Sequence, residues 1–173
     1  MDQAFITAAE AAATAATYLA ALSYDSDRML RPWRSASTAD PLMVRTVERK
    51  PSFWLVPVVQ RVRVLGHIEI GPDGDVLGHT FFYFQPDDLN GCPAVVTRIS
   101  EREAIELSKR IRACHPDADF GEPVFVHDGP RSRLAWMIGV NIDGELVSRI
   151  FATPGYAYQR DVSELPPQPG IRG

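Results

Sequence analysis

The chain has 173 residues, of which 45% are hydrophobic and 23% charged, the balance of an ordinary globular domain or of two small ones sharing a core. That balance excludes a collagen, a coiled coil and a wholly disordered chain. Eighteen Lys plus Arg against 22 Asp plus Glu leave a formal charge of −4, so no cationic excess is there to track a phosphate backbone, and no nucleic-acid partner is expected.

Apolar stretches are interrupted well before the roughly 20 residues of a bilayer-spanning helix, so no membrane partner is expected either. The alanine-rich run at 8–21 does not read as a secretory signal. The chain opens Met1-Asp2-Gln3, carries Glu10 inside the run, and has its first arginine at Arg28, whereas a signal peptide places positive charge ahead of its apolar segment. With two cysteines, Cys92 and Cys114, no disulfide framework is available, and the expectation is a cytoplasmic protein with reduced thiols.

In chain order, Asp2 is placed to cap a first helix whose inward stripe is Phe5, Ala9, Ala12, Ala16 and Leu19, at steps of four and three. It ends near Ser23 to Ser26. Residues 28–40 lack periodicity and read as a connecting loop, with Trp33 folding back onto the protein. Short β-branched and aromatic runs follow at 42–47, 53–59, 62–70 and 76–84. Asp73-Gly74 between the last two marks a hairpin, because glycine tolerates positive φ.

Ser100 with Glu103 three residues on is a capping box that opens a second helix, stopped by Pro116. Ala104, Leu107, Ile111 and Cys114 form its inward stripe, and Glu106 can pair with Arg110 outside. Strand runs at 123–126, 134–140 and 146–152 follow, with turns at Asp128-Gly129-Pro130 and Asp143-Gly144.

Superposing Trp54 on Trp136 aligns Phe53-Trp54-Leu55-Val56-Pro57-Val58 with Ala135-Trp136-Met137-Ile138-Gly139-Val140 at an offset of 82. The same offset carries Ile68 onto Ile150 and Pro72 onto Pro154, the pattern of an internal duplication. The expected fold is therefore α+β: two repeats, each a helix packed on a curled antiparallel meander, at 1–91 and 92–160, with a Pro-rich extended tail at 161–173.

The second repeat, with its capped helix bearing Ser100, Ala104 and Ile105, the His115-Pro116 stop, the strand from Trp136 to Val140, the turn at Asp143-Gly144 and an end near Pro154-Gly155, resembles the PepSY family. The first repeat looks like a divergent copy. Such domains are similar to propeptides of thermolysin-like proteases and to cystatins. The resemblance implies binding or inhibition of a protease or another peptide-handling partner, with no catalytic residues and no cofactor. The chain departs from the family in showing neither an export signal nor a protease domain.

The strongest candidate for chemistry is His67 with Glu69 on one strand and His79 on its hairpin neighbour. If the loop pairs Ile70 with Val76, His67 lies opposite His79 and a site of two histidines and one carboxylate is possible; a one-residue register change sends His79 to the other face. His115 reads as a residue favoured by a helix C-terminus, His127 as a turn neighbour, and Asp73, Asp75, Asp117 and Asp119 as turn residues. No phosphate loop, nucleophile elbow or helical zinc motif is present.

In Phe81-Phe82-Tyr83-Phe84 only alternate residues can be core. If Phe82 and Phe84 pack on the helices, Phe81 and Tyr83 face outward, and with Trp54, Trp136 and Tyr156 they are the candidate surface for a peptide or protein ligand. The expected function is a non-catalytic binding module that takes an extended chain at a sheet edge. Alternatives are a small enzyme or metal binder using His67, Glu69 and His79, and an immunity or assembly protein that forms a homodimer.

Overall fold

A computed structural model describes residues 5–111 and 117–162. Helix α1 (Ala8–Ala21), a 3₁₀ helix (Arg28–Ser35) and helix α2 (Glu101–Ile111) accompany ten strands. These are β1 (Ser37–Thr38), β2 (Leu42–Arg45), β3 (Pro51–Gln60), β4 (Arg63–Ile70), β5 (Val76–Phe81), β6 (Asp119–Phe120), β7 (Val124–His127), β8 (Leu134–Ile142), β9 (Glu145–Thr153) and β10 (Tyr156–Asp161). All ten belong to one open mixed sheet of order β10-β9-β8-β7-β2-β3-β4-β5, with β1 added to β3 and β6 to β8. The fold is thus α+β. No helix among the described residues is long and apolar enough to cross a membrane.

The expected boundary at 91/92 falls in the irregular segment between β5 and α2, and one sheet spans both sides of it. Strands β1, β6 and β10 are additions to those expected, and the strand expected to reach Phe84 stops at Phe81. Asp2, Cys114, His115, Pro116 and residues 163–173 of the tail lie outside the described residues, and Asp161, expected to open the tail, closes β10.

The cap of α1 is Thr7: its hydroxyl accepts from the Glu10 amide at 3.3 Å while the Glu10 carboxylate accepts from the Thr7 amide at 2.8 Å. The buried stripe is Ala11, Ala15 and Leu19, whereas Ala9 and Ala16 are exposed. A helix that is alanine nearly all round has little pattern to orient it, so its contact with the sheet sets the face. On α2 the Ser100–Glu103 box is present, Ala104 and Ser108 are buried, and Glu106 pairs with Lys109 at 2.7 Å in place of Arg110.

The segment expected as a loop carries the 3₁₀ helix, opened by Asp27, whose carboxylate accepts from the Met29 amide at 2.8 Å. The apolar payload explains this order: Trp33 is fully buried and Leu30 nearly so, against Val56, Val58, Leu65 and Ile68 in one core cluster.

The ladders of the two halves coincide at an offset of 82. Trp54 pairs with Ile70 and Trp136 with Ala152; Val56 with Ile68 and Ile138 with Ile150; Leu42 with Leu55 and Val124 with Met137; Ser37 with Val59 and Asp119 with Asn141. The bulge after Val58 recurs after Val140, and the left-handed turn residue Arg61 (φ 56°) recurs as Asp143 (φ 52°). Each tryptophan then makes the same tether: the Trp54 indole N–H donates to the Ile6 carbonyl at 3.1 Å, and that of Trp136 to the Ile99 carbonyl at 3.2 Å. Ile6 and Ile99 each immediately precede a helix cap, so each tryptophan pins the start of its helix to the sheet.

The halves join where β2 and β7 pair in parallel, Arg45 beside Val126. Strands related by an axis lying in the sheet and along them are parallel, and such an axis turns one face into the other. Accordingly α1 packs on the face of Trp54, Val56 and Ile68, and α2 packs on the opposite face, over Ile138 and Ala152. Beneath the seam Val44, Phe53, Leu55 and Phe125 form a cluster flanked by Trp136.

Trp54→Phe and Trp136→Phe each delete one tether and leave a carbonyl without its donor. Each should cost about 1–3 kcal/mol of unfolding free energy, by similar amounts, measured by urea denaturation. A loss confined to one variant would show that the tethers are not equivalent.

Candidate functional site

The hairpin joining β4 to β5 decides the fate of the two-histidine site. Ile70 does pair with Val76, but Glu69 pairs with Gly78, which leaves Leu77 as an extra residue. Ile68 consequently lies opposite His79, and His67 opposite Thr80. The bulge sends His79 to the α1 face, where its Nδ1 is 2.9 Å from the Tyr18 hydroxyl and its ring lies 5.4 Å from that of Trp33. Burial there lowers the imidazole pKa below its ordinary value. His67 and Glu69 keep the other face, so the expected triad is divided between the two sides of the sheet. Among the described residues no three His, Cys, Asp or Glu side chains are grouped as metal ligands.

On that other face His67 and Glu69 border a cavity of about 220 Å³. The His67 Nε2 is 3.6 Å from one Glu69 oxygen, and Arg131, reaching over from the β7–β8 hairpin, is 3.7 Å from the other. The neighbouring imidazole holds the Glu69 carboxyl below the usual carboxylate range, against the opposing effect of burial and with help from Arg131. His67 is 4% exposed, and its Nδ1 has no hydrogen-bond partner.

The five aromatic candidates do not form one surface. Phe81 packs on Trp33 at 5.0 Å between ring centres, and Tyr83 is buried with its hydroxyl donating to the Met29 carbonyl. The parity of the run is therefore the reverse of the expected one: Phe81 and Tyr83 point inward, Phe82 lies over His67, and Phe84 is 98% exposed. Trp54 and Trp136 are half-buried and tether the helices. Only Tyr156, at 60% exposure on the edge strand β10, presents a large surface.

Tyr156 belongs to a feature that composition and motif reading did not reveal. On the side where α1 covers the N-terminal half, no helix among the described residues covers the C-terminal half, and a cavity of about 560 Å³ lies between Met137, Gly139 and Arg149 of the sheet and the hairpin residues Val47 and Arg49. Beside it runs an aromatic row: Tyr158 stacks on Phe151 at 5.2 Å and on Tyr156 at 6.1 Å. Arg160 lies over Phe151 and Tyr158. Buried Asp128 holds the row in place by accepting from the Tyr158 hydroxyl and from Arg160, each at 2.8 Å. The offset of 82 was the available signal, since it maps His67 onto Arg149 and Arg131 onto Arg49; the two cavities therefore occupy equivalent places on opposite faces.

His127 is more than a turn neighbour. With its Nδ1 2.7 Å from the Gly129 carbonyl, which accepts its proton, Nε2 is free to accept from the Ser52 hydroxyl at 3.0 Å. This is nucleophile-and-base spacing, but the pair sits at the seam between β3 and β7 and borders neither cavity. Its evident role is to tie the halves together. The Asp73 carboxylate accepts from the Asp75 amide at 3.2 Å, as a turn residue does.

No family model, curated protein or solved structure matches the chain. The site therefore rests on its own geometry.

His79 folds as a neutral group while the unfolded chain takes up a proton near pH 6.5. The unfolded state then binds more protons, so stability rises with pH in this window and falls as pH drops below about 6.5. Urea midpoints at pH 8 and pH 5 should diverge more for the wild type than for His79→Gln. Equal divergence would show that His79 carries no such linkage.

Proposed function

We propose that the chain is a non-catalytic binding module, built from two duplicated PepSY- or cystatin-like halves, that holds an extended peptide or protein segment on the bare face and outer edge of its C-terminal half. The duplication is supported by ladders, bulge, turn and tryptophan tethers that recur at one offset. The observation that carries the functional reading is the asymmetry between the halves. α1 and the 3₁₀ helix bury one sheet face of the N-terminal half, whereas the equivalent side of the C-terminal half is an open concavity flanked by Tyr156 and Tyr158.

The chemistry suits an extended chain. Among the described residues β10 pairs with β9 and with no strand on its other side, so that edge presents main-chain donors and acceptors to an added strand. The concavity supplies apolar surface from Val47 and Leu146 and positive charge from Arg49 and Arg149, with Glu48 and Glu122 at its border. Protease inhibition and presentation of a peptide to another enzyme are both forms of this recognition. The divided histidines remove the arrangement that a metal-dependent reading required.

Screening a displayed library of extended peptides should recover sequences that bind the wild type. Tyr156→Ala and Arg149→Glu should each weaken that binding by about ten-fold or more, since one aromatic or arginine anchor contributes upward of about 1 kcal/mol, with the melting temperature nearly unchanged. Failure to recover any binding sequence, or equal binding by both variants, overturns the reading. A mass that doubles with concentration would assign the edge to a second copy of the chain instead.

A further inference from the structure

The cavity beside His67 is separate from the proposed peptide surface and lies on the opposite face of the sheet. At about 220 Å³ it is sized for one small molecule and not for a chain segment. Its lining combines polar side chains, His67, Glu69 and Arg98 among them, with apolar surface from Phe82, Phe125 and Leu134. We infer that this cavity is a binding site for a small carboxylate carrying a short apolar body, with the carboxylate held by His67 and Arg98.

His67 is 4% exposed and its Nδ1 has no hydrogen-bond partner among the described residues, a state that costs free energy unless a ligand satisfies it. Its Nε2 already faces Glu69, and Arg131 takes the other Glu69 oxygen, so the one carboxylate of the cluster is occupied. Arg98, whose guanidinium lies 5.9 Å from the centre of the Phe82 ring, has no carboxylate partner among the described residues. The charged and titratable groups around His67 are thus Glu69 on its own strand, His79 on the far face of β5, Arg131 from the β7–β8 hairpin and Arg98 from the segment entering α2.

Two arginines against one glutamate leave a surplus of positive charge. An anionic oxygen at Nδ1 gives that nitrogen the partner it lacks, while Nε2 stays turned to Glu69. A ligand amine would instead face Arg98 and Arg131 with like charge. The apolar lining rejects a fully hydrated anion such as sulfate and favours a carboxylate that brings a hydrocarbon to cover Phe125 and Leu134. In the C-terminal half Arg149 stands at the position of His67 and Arg49 at that of Arg131, so cationic or protonatable groups recur at both positions.

The probe is 3-phenylpropionate, compared with its primary amide, titrated into the full chain by calorimetry and by the histidine ring signals in NMR. The carboxylate should bind and shift one histidine signal, which is absent in His67→Gln, and the amide should bind about ten-fold or more weakly. Ser132→Trp, at an exposed hairpin position on the cavity border, should abolish binding without lowering the melting temperature, and Arg98→Leu should weaken it about ten-fold. Tyr156→Ala should leave it unchanged, which separates this site from the peptide surface. No heat and no histidine shift, equal affinity for the amide, or undiminished binding by Ser132→Trp would each overturn the inference.

Discussion

The parallel pairing of β2 with β7 is the constraint from which the architecture follows. Every other ladder in the sheet is antiparallel, so this one contact sets how the halves are related. Had the central strands met antiparallel, the relating axis would stand perpendicular to the sheet and both helices would cover the same face. With the axis along the strands, α1 and α2 fall on opposite faces, and each half keeps one face that its own helix cannot cover. The apolar cluster of Val44, Phe53, Leu55 and Phe125 stabilises this arrangement from one side, and the Ser52–His127 hydrogen bond ties the seam with a polar contact.

Within each half the tryptophan tether links local structure to packing. A helix start leaves amides unsatisfied, and here Thr7 with Glu10, or Ser100 with Glu103, satisfies two of them reciprocally. The carbonyl just before each cap is then bound by an indole from the central strand of its own meander. Cap, helix entry and sheet are thereby fixed as one unit, and the apolar stripe needs only to lie down on the surface already facing it. The small side chains Ala11, Ala15 and Ala104 allow that close approach.

The two uncovered faces acquired different character because different segments reach them. Over the N-terminal half, the chain running from β5 to α2 brings Phe82, Val96 and Arg98 down beside the β7–β8 hairpin and leaves a small cavity of about 220 Å³ beside His67. Over the C-terminal half the β2–β3 hairpin contributes Val47, Glu48 and Arg49, and the space is larger, about 560 Å³. Replacement of His67 and Glu69 by Arg149 and Phe151 at the equivalent positions completes the contrast: one face holds a buried polar cluster, the other an arginine beside stacked aromatic rings.

Much of this was legible in the residues. The α+β class, both helices and the Ser100–Glu103 box, the four strands from Leu42 to Phe81 and the three strands from Val124 to Thr153 follow from local signals: alternation, capping spacing and turn glycines act over a few residues, where sequence and structure are directly coupled. What the sequence could not determine were the choices between faces. A single extra residue at Leu77 moved His79 to the far side of the sheet, the alanine-rich α1 had no unique apolar stripe to announce, and the parity of Phe81 and Tyr83 depended on Trp33 arriving from another element. Side-chain period in a strand is two, so one residue of slip inverts a surface. Only the assembled core, through the burial of Trp33 and the pairing at the seam, decided which side each residue met.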